Sequence, residues 1–331
     1  MKVAIVGATG QTGSFIVKAL LESTTPKFEV TALTRPSSLQ KPQVLELAEK
    51  GVNIVAADLT GSEEDLKKAL TGIEAVISTI YGASVTAEIP LINAAKAIGV
   101  QRYVPCFFAT VAPPTGALRL RELKEETFNH IKKTKLPYTI IDVGWWYQVN
   151  LPRLPSGRID YAVMETTDGI AVDGNVPVAF NLRDVGPYTA RIISDPRTLN
   201  RMVFAYNEVL TFSQMYDIAE KVSGEKLHRK YVPAEEIEAR VREWEEKNPA
   251  PDSVEFITLS QLQYWYSCCV RGDNTPENAQ YLGYLLVKDL YPEFVGTTLE
   301  TYAKEVLEGR GRKVYEHIQD LLSIKTAKAG Q

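Results

Sequence analysis

Short apolar runs alternate with amphipathic runs along the first 145 residues of the chain. The apolar runs are rich in β-branched residues, which predicts strands. They lie at Lys2–Val6, Phe28–Leu33, Val52–Ala56, Ala75–Thr79, Arg102–Pro105 and Tyr138–Val143. The runs between them carry apolar residues at helical spacing. They predict helices at Gly13–Leu21, Gln43–Lys50, Glu63–Leu70, Ile89–Ile98 and Arg119–Thr134.

This alternation predicts the fold class. Strands that are separated by helical segments form βαβ units, and such units build a parallel sheet. The strands are apolar at nearly every position, as expected when helices cover both faces of the sheet. We therefore predict an α/β protein with a doubly wound parallel Rossmann sheet and a smaller, interleaved substrate domain.

The pattern becomes less regular after Trp146. Pro152, Pro155 and Gly157 interrupt the next segment and predict loops and short strands. A strand followed by a helix returns at 176–193, and further helices are predicted at 212–222 and 234–248. We predict a Rossmann domain over residues 1–150, to which the chain returns at about 176–206, and a smaller interleaved substrate domain over 151–331.

Composition and charge exclude several classes of protein. Of the 331 residues, 45% are hydrophobic and 24% are charged, the balance of an ordinary globular protein. The net charge is −4, so we expect neither nucleic acid nor a membrane surface as a partner. No apolar run approaches the roughly 20 residues that cross a bilayer, and the first strand leaves no room for a signal peptide. We therefore expect a cytoplasmic protein, and the three cysteines and three histidines have no spacing that predicts a metal site.

A glycine-rich segment, GATGQTG at residues 7–13, follows the first predicted strand and opens the first helix. Gly7 permits a tight turn, Gly10 lets the backbone approach a pyrophosphate, and Gly13 lets the helix pack closely on the strand. The unpaired amides and the positive end of the helix dipole then hold the pyrophosphate. This arrangement predicts dinucleotide binding, with a purely structural turn as the alternative.

The end of the second predicted strand indicates which dinucleotide binds. A ribose-binding Asp or Glu is expected about 20 residues after the glycines, in the segment LTRPSS at 33–38. That segment contains no carboxylate, but it contains Arg35, whose guanidinium can pair with a 2′-phosphate. We therefore predict NADP(H) rather than NAD(H) as the cofactor. The alternative is that Arg35 is an ordinary solvated arginine.

Longer segments resemble a known family. GATGQTG, TRPSS, IPLINAAKAIGVQRYVPCFFA and LPYTIIDVGWW are similar to the NmrA-like, atypical short-chain dehydrogenase/reductase group. The most similar branch contains the isoflavone reductases and phenylcoumaran benzylic ether reductases. DVGPYTARIISDPRTLNRMVF, LTFSQMYDIAEKVSG and LYPEFVGTTLETYAKEVL also resemble that branch. The resemblance covers nearly the whole chain, and it implies a Rossmann fold, NADPH as cofactor and the reduction of aromatic natural products.

The resemblance also implies which residues contact the cofactor. The implied contacts are Gly7, Thr9, Gly10, Gln11 and Thr12 at the pyrophosphate, Arg35 at the 2′-phosphate, and Thr79 with Ile80 at the ribose and adenine side. The complete expected set adds Gly13, Phe107, Lys124, Gly144 and Trp145.

Lys124 is the catalytic residue that the resemblance implies, since it lies thirteen residues before Pro137 at the start of the LPYT segment. Residue 120 is Leu, so the Tyr-x-x-x-Lys pair of classical short-chain dehydrogenases is absent. A positioned lysine can act as a general acid or base, and here it would support proton delivery during hydride transfer. The alternative is a solvated lysine, because the predicted helix around it is highly charged.

The chain departs from the family pattern where the substrate pocket is expected. The family's P-S-E-F segment reads PCFF at 105–108, and the aromatic pair after the sixth predicted strand lies in GWWY at 144–147. Large aromatic side chains offer stacking surfaces, and the carboxyl ends of parallel strands face the ligand crevice. We therefore expect an aromatic or apolar substrate to contact Phe107, Trp146, Tyr147 and Tyr264, with core packing as the alternative for Tyr264.

Three functions are compatible with these features. The first is an NADPH-dependent reductase of an aromatic or heterocyclic small molecule, working as a monomer or homodimer. The second is a regulator like NmrA itself, which binds a dinucleotide without turnover and docks on a protein. The third is a non-redox enzyme, such as a cyclase, on the same scaffold. Lys124 and the resemblance of the C-terminal half to the reductase branch favour the first.

Overall fold

Strands and helices alternate through the first half of the chain as the sequence pattern predicts. The computed structural model describes residues 1–164, 170–171 and 178–315. Its strands are β1 (Lys2–Val6), β2 (Glu29–Thr34), β3 (Asn53–Ala56), β4 (Ala75–Ser78), β5 (Arg102–Val104), β6 (Thr139–Val143), β7 (Trp145–Trp146), β8 (Ile170–Ala171), β9 (Val178–Phe180), β10 (Arg201–Ala205), β11 (Glu208–Val209), β12 (Tyr231–Val232) and β13 (Tyr284–Leu286).

The helices cover the sheet and build the rest of the described chain. They are α1 (Gln11–Glu22), α2 (Pro42–Glu49), α3 (Glu63–Ala69), α4 (Ile89–Ala97), α5 (Arg119–Thr134), α6 (Tyr147–Asn150), α7 (Val185–Ser194), α8 (Phe212–Ser223), α9 (Ala234–Glu246), α10 (Val254–Trp265), α11 (Pro276–Tyr281), α12 (Val287–Leu290) and α13 (Leu299–Leu307). A π-helical turn at Tyr266–Arg271 follows α10 directly.

A parallel sheet forms the centre of the fold. Five strands lie in the order β3-β2-β1-β4-β5, with Val3 opposite both Val30 and Ala75. A parallel bridge between Tyr103 and Tyr138 leads on to β6, which continues through β10 to β13. The strand order reverses direction between β1 and β4, as in doubly wound folds. The prediction of an α/β, doubly wound parallel Rossmann sheet is therefore confirmed.

The two faces of β1 belong to different cores, because successive side chains of a strand point to opposite sides. Val3 and Ile5 pack with the residues of α1 and α7 on one face. Ala4 and Val6 pack with α3, α4 and α5 on the other. Both sheet faces are thus covered, which explains why the strands read as continuous apolar runs.

A further core, outside the sheet, draws on several separate stretches of the chain. Its buried residues come from 147–163, 212–241, 262–269 and 299–306, together with Ala179 on β9. Between them the chain returns to the sheet at α7 and β10, as expected, and again at β13, which the sequence pattern did not predict. Residues 165–169, 172–175 and 316–331 of the predicted smaller domain, and 176 and 177 of the predicted return, lie outside the described residues. The domain bounds stay a prediction.

The buried face of α5 carries charged residues. Arg121 and Lys124 are buried together with Thr127, Phe128 and Ile131. The apolar residues of this helix therefore do not form a regular stripe in the sequence, because two charged side chains occupy positions on the inward face. The sequence predicts the bounds of α5 correctly, but its periodicity alone does not predict which face is buried.

Arg121 joins three elements of the sheet domain. Its Nη1 donates to Asp142 Oδ2 on β6 at 2.5 Å, and its Nη2 donates to the hydroxyl of Tyr284 on β13 at 2.8 Å. The Tyr284 hydroxyl in turn donates to Asp142 Oδ2 at 2.5 Å, and Arg121 Nε donates to Glu125 Oε1 at 2.9 Å. These bonds fix the rotation of α5 about its axis relative to the sheet.

Two negative findings apply to the described residues alone. Among them, no helix combines the length and the apolar character that a membrane span requires. In the same ranges, no group of three or more His, Cys, Asp or Glu residues is placed to hold a metal ion.

Replacing Arg121 by Met is expected to destabilise the protein strongly, because Asp142 would be left as a buried charge without its partner. Removing one member of a buried ion pair lowers the free energy of unfolding by about 3–5 kcal/mol. Urea denaturation followed by circular dichroism measures the change. Lys133→Ala, at an exposed position of the same helix, is the control and should change it by less than about 0.5 kcal/mol.

The double variant Arg121→Met with Asp142→Leu tests the electrostatic cause. It removes both charges, so it should recover part of the stability that Arg121→Met loses. A double variant that is less stable than Arg121→Met would show that the loss comes from packing rather than from the unpaired carboxylate.

Candidate active site

The glycine loop packs against the end of β4 so closely that two of its positions accept no side chain. Gly7 has φ +78°, and a Cβ there would lie 2.5 Å from the carbonyl oxygen of Thr79. A Cβ on Gly13 would lie 2.2 Å from the Gly7 oxygen and 2.6 Å from Thr79 Oγ1. The Thr79 hydroxyl is shared between the carbonyl oxygens of Val6, at 2.8 Å, and Gly7, at 3.1 Å. The loop therefore has one fixed shape.

The start of α1 fits an anionic dinucleotide. Gly10 precedes the helix, no side chain caps its first amides, and its first turn contains no acidic residue. The first amides of a helix have no intrahelical partner, and with the helix dipole they favour an anion. Oε1 of Gln11, the first helical residue, is buried without a hydrogen-bond partner. The cradle of glycines and the free amides fit the pyrophosphate, and the orphaned Gln11 oxygen fits a hydrogen-bond donor such as a ribose hydroxyl.

Arg35 lies where a 2′-phosphate reader is expected, directly after β2. Its side chain is exposed, and its guanidinium makes no hydrogen bond or ion pair with any residue in the described part of the chain. The nearby Asp58 carboxylate accepts hydrogen bonds from the amide and hydroxyl of Thr60, at 2.9 and 2.8 Å. Those bonds, with a smaller contribution from Arg35, lower the pKa of Asp58. The Arg35 guanidinium is thus available to a ligand.

The Lys124 ammonium lies at the carboxyl ends of the central strands and not in solvent. Its side chain is buried, with 3% of the residue exposed. Nζ donates to the carbonyl oxygen of Cys106 at 2.5 Å and to that of Phe107 at 2.8 Å, just beyond β5. A Cβ on Gly82, after β4, would lie 3.9 Å from it. An ammonium has three N–H donors, so these two carbonyls leave one for a ligand.

Two further polar residues, which the sequence analysis did not identify, lie behind Lys124. Glu88 is fully buried, and its Oε2 accepts a hydrogen bond from the Tyr103 hydroxyl at 2.9 Å. Burial raises the pKa of Glu88 to about 7, while hydrogen bonds from Cys106 and Tyr103 and the charge of Lys124 oppose that rise. In the sequence, Glu88 directly precedes a predicted helix, where an acidic residue is commonplace, so no local signal marks it.

Cys106 is an inert thiol. Its side chain is buried, and Sγ donates to the carbonyl oxygen of Ile80 at 3.1 Å. Burial raises the pKa of Cys106 to about 11, so the thiolate is scarce at neutral pH. The charged neighbours of this thiol are Lys124 and Glu88.

Phe107 does not provide the apolar wall of a substrate pocket. Its ring is buried in the core beneath α5, edge-on to Phe128 with ring centroids 6.0 Å apart. The Arg121 guanidinium lies 4.8 Å from the centre of the same ring. The expectation of a substrate contact is wrong for this side chain, because the residue turns its ring inward. It contributes to the site through its carbonyl oxygen, which accepts from Lys124.

Tyr147 is also a core residue, and the expectation that it contacts the substrate is wrong. It is 0% exposed, its hydroxyl donates to Glu208 at 2.5 Å, and its ring stacks on Tyr302. The expectation that Trp146 contacts the substrate is wrong for the same reason. Its indole is buried and stacks on Tyr315, near the end of the described chain, with 5.5 Å between centroids and 9° between planes. The Tyr147 hydroxyl is thus bonded to Glu208, and the Trp146 ring is covered by Tyr315.

Trp145 and Tyr264 are the expected site aromatics that keep exposed surface. Each is partly buried, and their rings stack at 6.2 Å with an angle of 25°. Phe212 packs edge-on against Trp145 at 5.9 Å. Gly144, just before Trp145, is buried and donates its amide to Ala205. The stacked rings of Trp145 and Tyr264 thus join the end of the sheet to α10, next to the core that lies outside the sheet.

Replacing Gly13 by Ala is expected to damage both the fold and the dinucleotide site, because the added methyl meets backbone that cannot move aside. Such overpacking typically lowers the free energy of unfolding by about 1–3 kcal/mol, and NADPH binding should weaken with it. Thermal melting and a fluorescence titration with NADPH measure the two effects. Ser14→Ala, at the next position, adds no atom and serves as the control. Wild-type affinity in Gly13→Ala would contradict the fixed shape of the loop.

The chain is similar to known proteins over most of its length. The profile of the NmrA-like family matches residues 1–263. Asnovolin J 5′,6′-dehydrogenase of Aspergillus novofumigatus is 46% identical over 315 residues, which cover 93% of this chain and 96% of that protein. Phenylcoumaran benzylic ether reductase Betv6 of Betula pendula is 30% identical, with 92% and 98% covered.

A solved structure shares the fold of this chain. The structure of the leucoanthocyanidin reductase–NADPH binary complex from Vitis vinifera matches with a TM-score of 0.76 and 24% sequence identity. The match covers 93% of this chain and all of that one. The resemblance that the sequence motifs indicate is confirmed, and the chain belongs to the NmrA-like family.

Proposed function

We propose that the protein is an NADPH-dependent reductase of an aromatic or heterocyclic small molecule of secondary metabolism. The observation that carries the proposal is the buried Lys124 ammonium, held at the ligand edge of a sheet whose glycine loop fits a dinucleotide. Relatives over more than nine-tenths of the chain bear the names of a dehydrogenase and of benzylic ether reductases.

The residues that would hold NADP(H) fall into two groups, the rigid glycine loop with its neighbours and the exposed Arg35. The loop amides and the start of α1 would hold the pyrophosphate, and Thr79 with Ile80 would border the ribose and adenine side. Arg35 would pair with the 2′-phosphate. When bound, NADPH supplies the hydride for the reduction.

Lys124 would supply the proton that reduction of the substrate requires in addition to the hydride. The Cys106 and Phe107 carbonyl oxygens stabilise the charged ammonium and hold it in place. The remaining N–H would reach the substrate or the nicotinamide ribose, directly or through a water. Burial of the side chain keeps bulk water from competing for this proton.

The stacked pair of Trp145 and Tyr264 would form the aromatic surface of the substrate pocket. Both rings keep exposed area, and aromatic rings favour planar, electron-poor ligands through stacking and area burial. Of the four expected substrate contacts, Phe107, Trp146, Tyr147 and Tyr264, this proposal keeps Tyr264 and adds Trp145, which was expected at the cofactor.

A turnover assay decides between the reductase and the other two functions. The purified protein is incubated with NADPH and a panel of aromatic and heterocyclic enones, benzylic ethers and quinones, and the reverse direction is run with NADP⁺. We expect one NADPH to be consumed for each product formed. Binding of NADPH without consumption would favour the regulator, and product without consumption would favour the non-redox enzyme.

We further propose that the protein works in the cytoplasm as a monomer or homodimer, without nucleic acid or membrane as a partner. The net charge of −4 supports the absence of nucleic-acid and membrane partners, because such polyanions attract proteins with an excess of positive charge. Size-exclusion chromatography with light scattering measures the oligomeric state. A larger assembly would contradict the proposal.

Arg35→Ala is expected to reduce the preference for NADPH over NADH. A hydrogen bond to a charged group contributes about 1.5–3 kcal/mol, so NADPH affinity should fall roughly 10- to 150-fold while NADH affinity stays unchanged. Titration of both cofactors into both proteins measures the preference. Lys41→Ala, an exposed lysine nearby, is the control. Equal affinities of the wild type for the two cofactors would contradict the assignment.

Lys124→Ala and the better-filling Lys124→Met are expected to lower kcat at least a hundredfold, since general acid–base assistance typically contributes about 10²–10⁴-fold. NADPH affinity should stay within a few fold. Steady-state kinetics and a cofactor titration measure the two effects, and thermal melting checks that the variants fold. Lys133→Ala is the matched control on the same helix. Turnover close to wild type in a folded Lys124 variant would exclude the lysine as the proton donor.

A further inference from the structure

The backbone of Cys106 forms a tight turn that connects Lys124 to a second buried charge. The Phe107 amide donates to the Pro105 carbonyl oxygen at 2.7 Å, which closes a three-residue turn centred on Cys106. The Cys106 amide donates to Glu88 Oε1 at 3.1 Å, while its carbonyl oxygen accepts from Lys124 Nζ. The Glu88 carboxylate thus binds the amide of Cys106, and the Lys124 ammonium binds the carbonyl oxygen of the same residue.

Glu88 is itself held from the opposite side. The Tyr103 hydroxyl, on β5, donates to its second carboxylate oxygen, and its side chain has no exposed surface. A buried carboxylate costs free energy unless its oxygens are hydrogen-bonded and a positive charge lies near. Here both oxygens have partners, and the Lys124 ammonium is the positive charge. A carboxylate in this position needs a role beyond filling the core, where an apolar side chain would cost less.

We propose that Glu88 is a positioning residue for Lys124, acting through the Cys106 turn. By accepting the Cys106 amide, Glu88 fixes the turn, and the turn directs the Cys106 carbonyl oxygen at the ammonium. The ammonium then keeps its third N–H directed toward the ligand edge of the sheet. This inference rests on the proposed role of Lys124 as proton donor.

Ionisation of Glu88 makes the arrangement dependent on pH. The titratable groups that face it are Tyr103 on β5, Cys106 after β5 and Lys124 on α5. Burial raises the pKa of Glu88 to about 7, so its negative charge beside the ammonium appears as the pH rises through neutrality. Because the pKa of Glu88 is higher in the folded than in the unfolded state, the folded protein binds this proton up to a higher pH. The free energy of unfolding therefore falls as the pH rises from about 4.5 to 7.

Two substitutions separate the charge of Glu88 from its hydrogen bonds. Glu88→Gln keeps an acceptor for the Cys106 amide but cannot ionise, whereas Glu88→Leu removes both. We expect Glu88→Leu to lower kcat at least tenfold with KM within threefold, and Glu88→Gln to restore kcat to within threefold of wild type at its optimum. The inflection of kcat near pH 7 should be lost in Glu88→Gln and retained in the control Glu126→Gln, an exposed glutamate of α5. A folded Glu88→Leu with wild-type kcat would overturn the proposal.

A spectroscopic measurement tests the turn without relying on turnover. The chain has three cysteines, so labelling with [¹⁵N]cysteine gives three amide signals, and Cys106→Ser identifies the one at the turn. Because the Cys106 amide donates to Glu88, its proton shift should titrate near pH 7 in wild type and stay flat in Glu88→Gln. A flat signal in wild type would contradict the pH dependence, and a Cys106 amide shift that is the same in wild type and in Glu88→Leu would overturn the Glu88 proposal even where NADPH is consumed. A titrating signal in a protein that consumes no NADPH supports the turn and rejects the reductase.

Discussion

The buried ion pair between Arg121 and Asp142 sets the rotation of α5, and the candidate site depends on that rotation. Two charges in the interior are stable here because Glu125 and the Tyr284 hydroxyl accept further N–H groups of the guanidinium, and the same hydroxyl donates to Asp142. Lys124 lies three residues after Arg121, so both face the same side of the helix. The contact that buries the guanidinium therefore also brings the ammonium to the carbonyl oxygens beyond β5.

The sequence predicts the sheet well because parallel strands that are buried on both faces leave continuous apolar runs. Its predictions fail where the interior is not apolar. The inward face of α5 carries Arg121 and Lys124, so its pattern matches no simple stripe. β13 is three residues long and joins the sheet through β10, far away in the sequence. Only the folded chain shows that these residues complete the sheet.

The candidate site was predictable where its signals are local. The spacing of the loop glycines and Arg35 after a strand are visible in the sequence, and the family resemblance indicates Lys124. Glu88 was missed because burial, a tertiary property, distinguishes it from a surface acid. The aromatic residues were misassigned because a tyrosine or tryptophan after a strand looks the same in a core and in a cleft. The ring that covers Trp146 is Tyr315, which no short-range pattern connects to it.

A continuous series of contacts runs from the glycine loop to the reactive end of the site. The Thr79 hydroxyl bonds the loop, the next carbonyl oxygen, of Ile80, accepts from Cys106, and the Cys106 carbonyl oxygen accepts from Lys124. Arg35 stands outside this series, exposed and without a protein partner among the described residues. The fold thus separates the choice of cofactor from the chemistry performed with it. An engineer who wishes to exchange one nicotinamide cofactor for the other can work on the loop after β2 and leave the catalytic geometry untouched.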